Sequence, residues 1–184
     1  MKNKKILISI IVVLVATGIM SRLINHPPNF VPLAAIALVS AYYLSFRHSW
    51  LIPLGIMLVS DLFIGFYDPF IMASVYGCYL LIWGLGRWAM SSGSRVALMP
   101  AVLSGSVMFF VVTNFAVWAF SPLYEKTAAG LYLAYAMGIP FFKWTLAGDV
   151  LYTVLFVAII ETAFFFALKR SKSSNKLQET IVNN

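Results

Sequence analysis

The sequence predicts an all-α integral membrane protein of six transmembrane helices, with both termini cytoplasmic. Three observations carry this reading. Of 184 residues, 61% are hydrophobic and only 10% are charged, whereas about a quarter of a soluble domain is charged. The apolar runs have roughly the 20 residues that a membrane-crossing helix needs, and they do not alternate with the period of two expected of a barrel strand. Basic residues cluster where those runs end.

The first span is expected over about Ile6 to Ile24, after the basic stretch KNKK. The second runs from about Val31 to Phe46, after the breaker HPPNF, and the third from about Trp50 to Phe66, ending at YDP. The fourth covers about Phe70 to Met90 and is followed by SSGSR. The fifth covers about Ala97 to Phe120 and stops at SPLYEK. The sixth covers about Phe141 to Leu168, before KRSKSSNK. The apolar stretch Thr127 to Gly138 is too short to span and reads as a re-entrant or interfacial helix closed by Pro140. Residues 1–170 thus form a single domain, and 171–184 form a polar, mobile cytoplasmic tail.

With the N-terminus inside, Lys2, Lys4, Lys5, Arg47, Arg87, Arg95, Lys169, Arg170, Lys172 and Lys176 fall on the inner side. Only Arg22, Lys126 and Lys143 fall outside. This asymmetry is the positive-inside pattern of a multi-pass protein of a bacterial inner membrane. It accounts for the net charge of +7 without nucleic acid, for which no polar face interleaves aromatic and basic residues. An alternative reads the first 20 residues as a signal peptide, but the apolar run continues to Ile24.

Polar residues inside a bilayer are costly and mark function by default. Here they gather in the outer half: Arg22, Asn25, His26, Asn29, Asp61, Asp68, Asn114, Tyr124, Glu125, Lys143, Trp144 and Asp149. Cys78, the single cysteine, is about eight residues into its span, roughly 12 Å deep. That distribution fits an outward-facing pocket. Each residue also has a plainer reading. Asp61 and Asp149 could pair with Arg22 and Lys143 to hold helices together, and Asn114 could make an interhelical hydrogen bond. Trp118, Tyr124, Tyr132 and Trp144 could form an interfacial belt. Cys78 could be a small core residue. Glu161 lies near the inner end, where it would snorkel or pair with a basic tail residue. Ala37 and Ala41, and Gly84 and Gly86, suit close helix packing or a docking face.

No HExxH, GxSxG or P-loop occurs. His26 and His48 fall on opposite sides of the membrane, which argues against a histidine zinc site. LAGD at 146–149 departs from the intramembrane aspartyl-protease GxGD pattern at its first glycine, and Asp68 adjoins Pro69 at a helix end.

HPPNFVPLAAIALVSAYYL, PLGIMLVSDLFIGFYD, VYGCYLLIWGLG, TNFAVW and GIPFFKWTLAGDVLYT occur in this order between Arg22 and Phe166. Together they resemble the solitary cobalamin-transporting membrane proteins similar to the S-components of energy-coupling-factor vitamin transporters. The resemblance implies an S-component-like bundle that binds cobalamin or a related corrinoid from the outer face and has no resident cofactor. It makes Cys78, in VYGCY, the cobalt ligand, able to promote cyanide loss from cyanocobalamin. It places His26 in the pocket, and Asp61 and Asp68 carry over too. Asn29, Tyr79, Asn114, Trp118, Tyr124 and Trp144 complete the expected site, where amide and aromatic groups suit a flat ring edged with amides. A soft thiolate donor suits cobalt, and a bound metal favours deprotonation of the thiol. The family's AxxxA docking motif on the first helix is not matched, since Ala16 is followed by Met20. Dependence on an energising module therefore stays open. So do a transporter for another small molecule with a structural Cys78, a membrane-bound cobalamin-processing enzyme, and an assembly protein.

Overall fold

The computed structural model describes residues 4–25, 27–44 and 47–182, with side chains for those between 6 and 169. His26, an expected pocket residue, lies outside the described residues. Six α-helices follow one another: α1 (Lys4–Leu23), α2 (Leu33–Tyr43), α3 (Leu51–Ile64), α4 (Pro69–Ser91), α5 (Leu98–Phe120) and α6 (Ala128–Val182). A 3₁₀ turn over Arg95–Ala97 leads into α5. No strand occurs among the described residues.

Local chemistry sets the helix ends. Asp68 caps α4, its carboxylate accepting from the Phe70 and Ile71 N–H groups at 2.9 and 3.0 Å, with Pro69 in the first turn where no N–H is needed. Gly65 stops α3 with φ of 103°. The Thr127 hydroxyl accepts from Gly130 N–H at 3.1 Å and opens α6. Between α5 and α6, the Lys126 ammonium donates to the carbonyls of Trp118, Ser121 and Tyr124 and gathers the 121–127 connection.

Four stretches are long and apolar enough to cross a membrane: Ile6–Leu23, Pro69–Ser91, Arg95–Phe120 and Ala128–Lys169. The expected second and third spans form helices of 11 and 14 residues, about 16 and 21 Å long at 1.5 Å per residue. The hydrocarbon core is about 30 Å thick. The expected break between Gly138 and Phe141 does not occur. Pro140 lies inside α6, and the helix runs through it. An internal proline removes one backbone bond and bends a helix without having to end it, and membrane helices tolerate that. The backbone of α6 also continues beyond residue 171 to Val182, where a mobile tail was expected.

Helix α2 is the centre of the bundle and packs against all five others. Every residue of it except Tyr42 is buried, as a helix apolar on all sides requires. Its alanines allow close approach. A Cβ at Gly86 of α4 would stand 2.6 Å from the Leu38 carbonyl oxygen and 2.7 Å from the Ala41 Cβ. At Gly84 a Cβ would meet nothing within 4 Å. Packing rather than an outward docking face is therefore the role of Gly86 and Ala41.

Gly86→Ala should lower the unfolding temperature in detergent, since overpacking costs about 1–3 kcal/mol. Gly84→Ala should leave it unchanged or raise it, because alanine gains up to about 1 kcal/mol of helix propensity. Equal behaviour of the two variants would contradict the close α2–α4 contact.

Candidate functional site

Arg22, Asn29, Asp61, Asp68 and Asn114 lie toward the end that carries the 24–32, 65–68 and 121–127 connections. The first connection is shaped by its prolines. Phe30 N–H donates to the Pro27 carbonyl at 3.0 Å, and Asn29 has φ of 63°. A proline followed by asparagine suits such a turn, because proline presets φ and asparagine tolerates the left-handed region. The turn places Asn29 over the cavities below.

Three cavities open there, and Asn29 and Phe109 line all of them. The largest, about 320 Å³, lies among Arg22, Met57, Tyr67, Val75 and Tyr79. The second, about 170 Å³, is lined by Thr113, Asn114, Phe142 and Thr145. The third, about 20 Å³, reaches inward to Asp149 beside Tyr79 and Thr145. Phe109 and Tyr79 face each other at 5.4 Å between ring centroids and help to partition the space.

Beside the largest cavity sits a buried ion pair. Arg22, at the end of α1, reaches to α3. Its Nη2 is 2.7 Å from Asp61 Oδ1, and its Nη1 donates to Ser60 Oγ at 2.5 Å and to the Met57 carbonyl at 3.2 Å. The second Asp61 oxygen accepts from the Tyr76 hydroxyl of α4 at 2.7 Å. Asp61 is 1% exposed. The group therefore clasps α1, α3 and α4 together, and both carboxylate oxygens are already engaged.

The expected site residues divide clearly. Asn29, Tyr79 and Asn114 line the cavities. Asn114 donates to the Phe110 carbonyl at 2.8 Å, and its Oδ1 would lie 2.4 Å from a Cβ at Gly138, so glycine there makes room for it. Asp61 stands behind Arg22 and lines none of the three. Asp68 is a helix cap. Trp118 donates its indole N–H to the Glu125 carbonyl at 3.0 Å, and Tyr124 belongs to the connection held by Lys126. Trp144 packs edge-on against Phe30 at 6.1 Å and remains half exposed. Cys78 is 1% exposed and lines none of these cavities. It belongs to a buried stripe of α4 with Ile82, Gly86 and Ala89, and its neighbour Tyr79 faces the cavities.

Asp149 does not pair with Lys143. Its Oδ2 lies 2.6 Å from the hydroxyl oxygen of Ser106 of α5, within hydrogen-bond distance. At the far end of the bundle, Glu161 accepts from the Tyr43 hydroxyl and pairs with Arg95, each at 2.7 Å. Its cation thus comes from the turn before α5. Tyr67, Phe109 and Thr145 line cavities without having been expected to, and Arg22, placed among the outer polar residues but not in the expected site, lines the largest of the three. Arg22 carried a signal, an arginine at the end of an apolar run, whereas Phe109 is one phenylalanine among 15. Among the described residues, no cluster of His, Cys, Asp and Glu is arranged to hold a metal ion.

The chain belongs to a family of unknown function, DUF6580, whose family model matches residues 2–173. No curated protein and no solved structure matches it.

Removing one partner of a buried ion pair costs about 3–5 kcal/mol, because the other charge is stranded. Arg22→Met and Asp61→Leu should each cause a large fall in unfolding temperature. The double variant should recover much of the loss. Additive losses in the double variant would show that the two side chains do not interact.

Proposed function

We propose that this protein is a multi-pass uptake protein of a bacterial inner membrane that takes cobalamin or a related corrinoid from the outer face. The observation that supports it is the set of three adjoining cavities at one end of a membrane-type bundle, with Asn29 and Phe109 common to all. The positive-inside pattern assigns that end to the outer side. In this reading all six helices belong to the membrane domain.

Small-molecule sites usually have about 300–1,000 Å³ of apolar space with a few placed polar groups. The aromatic walls from Tyr79, Phe109 and Phe110 suit a flat ring, and Asn29, Asn114, Thr113 and Thr145 suit its amide edge. Each cavity is small for a corrin, so the ring enters by parting Tyr79 from Phe109 and merging the space. That movement uncovers Cys78, which gives up its thiol proton and ligates cobalt from below as the vitamin's own base dissociates from that face. Strong donation from sulfur weakens the bond to the group on the opposite face. Cyanide thus leaves cyanocobalamin with its bonding electron pair and takes up the proton that the thiol released, once per bound vitamin.

One observation favours a second reading. Cys78 shares its stripe with packing residues and is closed off from the cavities. The same architecture would then carry another small molecule, and Cys78 would be structural.

Visible absorption of purified protein incubated with cyanocobalamin separates the two. A one-to-one corrinoid complex with an altered spectrum in the wild type, and an unaltered or absent spectrum in Cys78→Ala, is the expected result. Equal binding by both proteins would remove the thiolate from the mechanism. Absence of bound corrinoid in both would overturn the cobalamin reading.

A further inference from the structure

The two buried aspartates differ in how their charge is met. Asp61 has an arginine. Asp149 is 3% exposed and forms no ion pair among the described residues. An ionised carboxylate with one hydroxyl partner in such a place would be costly. A neutral acid would not.

The hydrogen bonding of Ser106 fits the neutral form. Its Oγ is 2.6 Å from Asp149 Oδ2 and 3.1 Å from the Val102 carbonyl oxygen. A hydroxyl has one hydrogen for these two oxygens. With a proton on Asp149, the carboxyl donates to Ser106 and Ser106 donates to Val102, so all three oxygens are served.

A second observation lies one turn further along α6. Thr153 is 3% exposed, and its hydroxyl oxygen has no hydrogen-bond partner among the described residues. Residues 145, 149 and 153 recur every four positions and so share one helix face. Thr145 and Asp149 line the innermost cavity, which gives Asp149 access from the cavity side. Continuing the spacing passes Val157 and reaches Glu161, held by Tyr43 and Arg95. Between Thr153 and Glu161 lie about 12 Å of helix, where Phe156 and Ile160 are buried. The polar track is thus open at one end and shut at the other.

We propose that Asp149 is a proton-binding site that couples inward movement of the cargo to the proton gradient. It holds a proton while the cavities face outward. It passes that proton toward Thr153 and Glu161 when the bundle rearranges. The described groups facing it are Asn29 and Val31 from the turn and the segment after it, Ala34 of α2, Tyr79 of α4, Ser106 and Phe109 of α5, and Thr145 of its own helix. Of these only Tyr79 is titratable and none is charged. Arg22, beside Tyr79 in the largest cavity, is committed to Asp61. The coupling rests on the uptake reading above; the protonated state of Asp149 does not.

Two measurements on the full-length protein test this separately. Infrared spectroscopy of the purified protein at neutral pH should show the C=O stretch of a protonated carboxylic acid. Asp149→Asn should abolish the band, and Ser106→Ala should shift it by removing its hydrogen-bond partner. In proteoliposomes, uptake of labelled cyanocobalamin should run several-fold faster with the lumen alkaline than at equal pH. A protonophore and Asp149→Asn should each remove that acceleration. An absent band, or a band unmoved by both substitutions, would overturn the proton site. Uptake driven by a sodium gradient and indifferent to pH would overturn the coupling. No uptake by wild type under any gradient, with the band present, would overturn the uptake reading and the coupling with it, leaving the proton on Asp149 established.

Discussion

Helix α2 is enclosed by the other five helices, and that enclosure governs the rest of the structure. A helix buried on every side must be apolar on every side, and from Leu33 to Ala41 the one polar side chain of α2, Ser40, turns its hydroxyl back to the Ala37 carbonyl at 3.0 Å. It must also let its neighbours come close, which its alanines and Gly86 of α4 permit. Because it has only 11 residues, it does not fill the depth of the bundle. The space beyond its first turn is closed by the Pro27–Phe30 turn and by side chains from α4, α5 and α6. The cavities lie there, with Val31, Leu33 and Ala34 in their lining. A short central helix thus creates the site.

The same enclosure sorts the buried polar groups. Where three helices meet at the cavity end, Arg22, Asp61 and Tyr76 satisfy one another and fasten the walls. Deeper in, Asp149 has a serine and Thr153 has no hydrogen-bond partner among the described residues. At the opposite end, Glu161 is tied to Tyr43 and Arg95. A bilayer offers no water to relieve such groups, so the fully satisfied cluster is a fastening and the incompletely satisfied one is where a proton or a water belongs.

Much of the fold was legible in the sequence because lipid imposes simple rules. Run length, HPPNF and the basic run ends located the first five helices to within a few residues. Pro140 misled, since a proline in a long apolar helix bends it without ending it. The site was less legible because sequence depth says how far along a helix a residue lies but not which way it points. Asp68 and Asp61 have pocket chemistry and depth, yet one caps α4 and the other stands behind Arg22. Trp118 and Tyr124 lie at the right level but serve the 121–127 connection. Asn29 was legible because proline and asparagine in that order force a turn. The separate fate of Asp149 was not, because Ser106 is one of several hydroxyls in apolar helices and only the packing of α5 on α6 brings the two together.

The central claim is that the cavities face the outside of the cell. Cysteine labelling in intact cells tests it most directly, with Asn29→Cys introduced into a Cys78→Ala background and a membrane-impermeant maleimide added outside. Labelling of intact cells, with no gain on permeabilisation, is the result this account predicts. Labelling that requires permeabilisation would place the cavities on the cytoplasmic side and contradict the account.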